Sequence, residues 1–238
     1  VDFIIFSFII LIAAILQTST GFGFSILATP FLLLLFDVTD AIQINLILSL
    51  FISLVLISKI RNDIDMMILK RLIAGSITGL PAGIAVLWFA DLNHLKIIVS
   101  ILILSLTMLL ILNFRISRTN GRDALFGGLS GAMTSSIGMP GPPLLLYFSG
   151  TSASKEKLRG TTLAFYLFIY SASLVLQIAV TGIQKIVWTS SAVALPVVII
   201  GLFWGQLLFK RIDQRLFRLL TYGILLFTGG YLLWESLP

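Results

Sequence analysis

Apolar residues gather into eight long runs, at 3–36, 41–58, 66–90, 95–114, 124–150, 161–182, 187–209 and 216–234, with short polar connections between them. Runs of about 20 apolar residues have the length of a helix that crosses a bilayer. The pattern therefore predicts membrane helices throughout. The first and fifth runs are interrupted. One carries Gln17-Thr18-Ser19-Thr20-Gly21-Phe22-Gly23-Phe24-Ser25, the other Thr134-Ser135-Ser136-Ile137-Gly138-Met139-Pro140-Gly141-Pro142-Pro143. Glycine and proline at these densities break a helix, and lipid cannot satisfy the backbone groups this frees. Such backbone survives only where protein or a watery cavity surrounds it. Two breaks in corresponding places of two halves are the sequence mark of a transporter's binding site.

The order broken, plain, plain, plain occurs twice. Gly79, Gly83, Asp91 and Lys96 match Gly201, Gly205, Asp213 and Arg218 at a constant spacing, and Leu54-Val55-Leu56 matches Leu174-Val175-Leu176. In order and together these matches support an internal duplication. The first repeat is placed at about residues 1–120 and the second at about 121–238, within a single membrane transport domain spanning 1–238.

Loop charge decides between topologies. The connections following runs two, four, five and seven carry four, three, three and four Lys or Arg residues; those following runs three and six carry Lys96 and Lys185 alone. If every run crosses, the two faces carry eight basic residues each and orientation is unbiased. If the two broken runs dip in and return on their own sides, the faces carry fourteen and two. The positive-inside rule prefers the second arrangement. The predicted fold class is thus an all-α polytopic membrane protein of two inverted repeats, each a broken, re-entrant helical hairpin followed by three transmembrane helices. The basic loops, with Arg61, Arg118, Lys157 and Arg215, face the cytoplasm, and both termini lie outside.

Composition agrees. Of 238 residues, 58% are hydrophobic and 11% charged, where soluble domains carry about a quarter charged residues. With many apolar runs, the first is read as a structural helix and not a removable signal peptide. The chain opens on Val1, so a native start upstream is expected. The net charge of +6 sits in short loops, which suits orientation on membrane lipid and gives no nucleic-acid surface. The absence of cysteine excludes disulfides and thiolate chemistry. His94 has no metal-ligand spacing around it and is placed in a short surface loop. No metal or other cofactor is expected, and without a GxxxxGK[ST] loop the chain does not hydrolyse nucleotide.

The breaks hold the candidate site. A helix that starts inside a membrane presents free N–H groups and about half a positive charge, which suits an anion. The first break offers Thr18, Ser19, Thr20 and Ser25 with close-approach backbone at Gly21 and Gly23. The second offers Thr134, Ser135 and Ser136 with Gly138 and Gly141, and a half-helix starting near Pro142 would aim its N-terminus at the break. Small residues also serve tight helix packing, so each hydroxyl counts only as part of its matched cluster. Asn45, an amide within an apolar helix one segment past the first break, completes the candidate substrate-binding set. Gln17, Gln43, Tyr147, Tyr166, Tyr170, Gln177 and Gln206 are the other polar residues within runs. Asp37 and Asp40 lie at a run's end, and no carboxylate is expected at mid-depth. Arg159 and Lys157 would draw anions toward the second hairpin, although orientation already explains them. Gly79, Gly83, Gly201 and Gly205 read as helix contacts, with a kink at Pro81.

The succession of Gly21-Phe22-Gly23, plain helices, a glycine-rich helix into Asp91, Gly138-Met139-Pro140-Gly141-Pro142-Pro143-Leu144 and a second glycine-rich helix into Asp213 resembles the sulfite exporter TauE/SafE family, also called the toluene sulfonate uptake permease family. The second motif carries methionine and proline where more glycine is expected. The resemblance implies transport of a small sulfur-containing anion such as sulfite, sulfoacetate or another organosulfonate, with the glycine motifs at Gly21, Gly23, Gly138 and Gly141. Export by alternating access is the expected activity. An uptake permease or an anion channel, with the breaks as its filter, are the rivals. An enzyme is poorly supported, since no acid–base pair lies within the runs.

Overall fold

The computed structural model describes residues 2–89, 92–112, 117, 119–149, 154–211 and 214–236. The described residues form ten α-helices: α1 (Asp2–Thr20), α2 (Phe24–Leu35), α3 (Val38–Ile60), α4 (Met66–Phe89), α5 (Leu92–Ile111), α6 (Asn120–Ile137), α7 (Gly141–Ser149), α8 (Lys155–Thr181), α9 (Lys185–Arg211) and α10 (Gln214–Ser236). A 3-10 turn, Arg61–Asp63, follows α3. No strand occurs among the described residues. Four helices among them are long and apolar enough to cross a membrane: α3 with its 3-10 turn, α4, α8 and α9.

Both interrupted runs are split into two helices. Gly21, Gly23 and Gly138 hold φ of +81°, +106° and +73°, a region that other L-residues enter only with strain. At the end of α6 the amides of Gly138 and Met139 fold back onto the carbonyls of Thr134 and Met133. Pro142 and Pro143 lie in the first turn of α7, where a missing N–H does no harm. The second half-helices are short. At 1.5 Å per residue, the 12 residues of α2 reach about 18 Å. The nine of α7 reach about 14 Å, against a hydrocarbon core of about 30 Å. Neither crosses alone.

Each half-helix returns along its partner. Phe36, after α2, packs edge-on against Phe6 near the start of α1, with ring centroids 5.8 Å apart. Tyr147 of α7 stacks on Phe126 near the start of α6 at 4.7 Å, and its hydroxyl donates to Asp123 at 2.5 Å.

Most helix pairs recur in both halves. The helix α1 packs on α9 as α6 packs on α4; α3 packs on α9 as α8 packs on α4; α2 meets α10 as α7 meets α5. The pairs α3–α8, α5–α10 and α2–α7 join like to like. Exchanging α1–α5 for α6–α10 maps these pairs onto one another, although α2 also packs on α3 and the matching α7–α8 contact is slight at most.

Small residues set how closely these helices approach. A Cβ on Gly75, Gly79 or Gly83 of α4 would overlap the backbone carbonyl of Ala124, Gly128 or Ala132 on α6. Gly201 and Gly205 of α9 likewise lie against Ala14 and Thr18 of α1. Spacing by four residues keeps each set on one helix face, so the backbones touch along their length. The helix contacts expected at four of these glycines are present. Pro81 lies inside a continuous α4.

Three expectations change. Asp123, left in a loop by the hydropathy pattern, lies inside α6 and is fully buried. Buried carboxylate is tolerated there because Arg71 of α4 forms an ion pair with it at 3.0 Å and Tyr147 donates to it. His94 is in the first turn of α5 and not in a loop. The helix α8 begins at Lys155, before the apolar run, because Ser154 caps its N-terminus by accepting from the Lys157 amide. Asp91, Asp213 and Arg118 lie outside the described residues, as do the side chains of Lys96, Arg215 and Arg218.

Candidate functional site: two helix breaks joined by a buried tyrosine

Every residue from Leu16 to Ile26 and from Met133 to Phe148 is buried. Both breaks are therefore enclosed by protein, as backbone at membrane depth requires.

At the first break, the hydroxyls of Ser19 and Thr20 donate to the Leu16 carbonyl, and Thr20 Oγ1 accepts from the Phe22 amide at 3.1 Å. Thr18 Oγ1 is buried with no partner among the described residues. Gly23 begins α2 with no side-chain cap, and the first bond of that helix runs from the Leu27 amide to the Gly23 carbonyl. At the second break, Thr134 Oγ1 donates to Ser130, Ser136 Oγ to Ala132, and Ser135 Oγ to the Leu80 carbonyl of α4 at 2.7 Å. As placed, these hydroxyls spend their protons on carbonyls and keep lone pairs free. To meet an anion they would rotate.

The amides in the runs find partners across helices. Asn45 Nδ2 donates to the Gly138 carbonyl at 2.8 Å and Gln177 Nε2 to the Ser135 carbonyl at 3.0 Å. Gln17 Nε2 reaches Ser49, Gln43 Nε2 reaches Gly182, and Gln206 accepts from Lys59. Asn45 thus stands on the second break, although it follows the first in the chain. The half that carries one break supplies a donor to the other.

Tyr166 of α8 ties the breaks together. Its ring meets Phe22 of the first break edge-on, centroids 6.4 Å apart. A Cβ added to Gly141, where α7 begins, would lie 3.1 Å from its hydroxyl and 3.0 Å from Ile26 in the first turn of α2. The Tyr166 hydroxyl is fully buried and has no partner among the described residues. One turn on, Tyr170 lies 5.0 Å away ring to ring and donates to Ser25 Oγ at 3.4 Å. Ser25 and Gly141 therefore face the same pair of tyrosines. In the sequence, Tyr166 is one polar residue among several in apolar runs, and no spacing singles it out.

Arg159 sits elsewhere than expected. It lies at the first break, not the second, because α8 begins beside α1 and carries it there. Its Nε donates to the Thr18 carbonyl at 2.8 Å, and Gly21 packs against its stem. The guanidinium stands 4.1 Å over the ring of Phe209 on α9. Lys157 remains exposed.

Two broken helices, enclosed by protein and meeting at a polar junction within an apolar helical body, fit a membrane transport protein. Neither the curated proteins nor the solved structures contain a match to this chain. The sequence model of one family, sulfite exporter TauE/SafE, matches residues 6–232, nearly the whole length. The chain belongs to that family, one of membrane transporters for sulfur-containing anions.

Proposed function

We propose that the protein is a secondary transporter that exports a small sulfur-containing oxyanion, sulfite or an organosulfonate such as sulfoacetate, across the cytoplasmic membrane by alternating access. The observation that carries this is the junction at Tyr166, where a fully buried hydroxyl without a partner stands between two helix breaks. An unsatisfied buried hydroxyl costs about 1–3 kcal/mol, and a ligand between the breaks would satisfy it. Family membership supplies the sulfur chemistry.

The architecture proposed is two inverted repeats, each opening on a re-entrant hairpin. Three features support it. Most helix pairs map onto one another when the halves are exchanged, the Phe6–Phe36 and Phe126–Tyr147 contacts hold each half-helix against its partner, and the basic loops fall fourteen to two. With Lys210 and Arg211 cytoplasmic, the first break lies toward the cytoplasm, level with Gly205. The second lies toward the outside, level with Gly83. Opening one hairpin at a time would expose the junction to one face at a time.

The substrate is held by Thr18, Ser19, Thr20, Gly21 and Gly23 on one side and by Asn45, Thr134, Ser135, Ser136, Gly138 and Gly141 on the other. The uncapped start of α2 presents N–H groups, while the amides of Gly21 and Gly138 stay on the carbonyls of Gln17 and Thr134. Export of an anion is favoured by an inside-negative potential, by about 2.3 kcal/mol per charge per 100 mV.

The test is flux. Purified protein in liposomes is loaded with sulfite, thiosulfate, sulfoacetate, taurine or sulfate, with thermal stabilisation measured on the same panel. Saturable release of a sulfur anion, and its loss in Tyr166→Phe at matched protein level, is expected. Large unsaturated current would identify a channel, and flux independent of Tyr166 would move the site.

A further inference from the structure

Building on the transport function above, we infer that the negative charge of the substrate is held at the first break alone, by Arg159 and the opening turn of α2, while the second break contributes neutral contacts only. The two breaks are alike in glycine and unlike in what packs on them. Gly21 is covered by Arg159, whereas Gly138 is covered by Ile42 and the amide of Asn45. Ile42 precedes Arg159 by the same interval as Gly21 precedes Gly138. An apolar side chain therefore takes the place of the cation in the second half.

Arg159 is only 7% exposed, and its guanidinium forms no ion pair among the described residues. Asp63 packs against the next residue, Gly160, and acts on the guanidinium only from beyond ion-pair distance. Of five N–H donors, Nε alone has a partner among the described residues, the Thr18 carbonyl. Stacking on Phe209 eases the charge but leaves the N–H edges unmatched. A charge so buried and with no carboxylate in direct contact is expensive, and an oxyanion is the partner that a planar fork of donors fits best.

Backbone chemistry divides the breaks the same way. The first turn of α2 has no side-chain cap, so the amides from Gly23 to Ile26 have no intrahelical acceptor. The first turn of α7 contains Pro142 and Pro143, which carry no N–H to offer. The buried hydroxyls of Thr18 and of Thr162, one turn along α8 from Arg159, have no partner among the described residues either. At the second break Asn45 Oδ1 and Gln177 Oε1 have no partner among the described residues and are acceptors that repel the oxygens of an anion. The free donor there, the Tyr166 hydroxyl, is neutral and shared with the first break. Gln17 Oε1 is such an acceptor near the first break, but there a cation outweighs it.

The experiment measures binding of sulfite and of sulfoacetate to the purified full chain by calorimetry, with the melting temperature recorded without and with each anion. Arg159→Gln is expected to weaken binding by about 10- to 100-fold, the effect of losing a hydrogen bond to a charged group. Ser136→Ala and Asn45→Ala are expected to weaken it by less than about tenfold, as for neutral bonds. A purely structural arginine would instead lower the melting temperature of the free protein and leave the anion-induced rise unchanged. Should Arg159→Gln fail to fold, Arg159→Lys keeps the charge but not the fork, and binding about 3- to 30-fold weaker is expected. Parent-like affinity in the Gln variant, or in the Lys variant if that alone folds, overturns the inference and leaves the transporter intact. A parent that binds neither anion overturns both.

Discussion

Replacing Gly138 by alanine tests whether the second break depends on a contact between halves of the chain. Two terms add. The residue ends α6 at φ +73°, ψ +15°, and holding alanine in the left-handed region costs about 1–2 kcal/mol. The new methyl would also lie 2.8 Å from Asn45 Nδ2 and 3.2 Å from Ile42 Cγ2. Asn45 must swing away, losing its bond to the Gly138 carbonyl and leaving a buried amide unmet, which costs about 1–3 kcal/mol. The expected loss is about 2–5 kcal/mol in all, combining the left-handed strain with the unmet amide. Asn45→Ala alone removes the same bond, which within a membrane costs about 0.6–1.7 kcal/mol. In the double variant the methyl has no amide to displace and only the conformational term and one lost bond remain. The two changes should thus fall short of additivity by about 1–3 kcal/mol. Unfolding by SDS in mixed micelles, followed by tryptophan fluorescence, measures all four corners of the cycle. Additive losses would refute the contact. Transport in Asn45→Ala at matched protein level should also fall, since the amide holds the break in shape.

Cysteines placed singly at Arg61, Arg118, Lys157 and Arg215 of this cysteine-free chain should all react with an impermeant thiol reagent from the cytoplasmic face. Labelling of positions 118 and 157 from opposite faces would sink the second re-entrant hairpin. Gly79→Val should prevent folding or strongly reduce yield, because its side chain meets the Gly128 carbonyl. Gly223→Ala, with nothing within 4 Å of the added carbon, should melt within a few degrees of the parent. Arg71→Met should destabilise by about 3–5 kcal/mol, since it leaves the carboxylate of a fully buried Asp123 without its cation. Equal melting temperatures for this variant and the parent would show the pair to be idle.

Much of the fold was legible because the bilayer imposes its rules on sequence. Length and hydrophobicity alone mark where helices run. Glycine and proline mark where two of them break, since a left-handed residue such as Gly21 or Gly138 cannot be hidden in composition. The glycines at 79, 83, 201 and 205 announced close contacts for the same reason: only an absent side chain lets backbones touch. Family membership was likewise written in local motifs. What the sequence could not decide is which segments meet. That Asn45 reaches the opposite half's break, that Tyr166 stands between both, and that Arg159 caps the first break depend on helices more than 90 positions apart packing together. Asp123 escaped notice because a charge beside a loop reads as solvated until a partner is known. Only packing brings Arg71 and Tyr147 to it. Local propensity is a property of neighbours in the chain, whereas the electrostatics of a buried site are a property of neighbours in space.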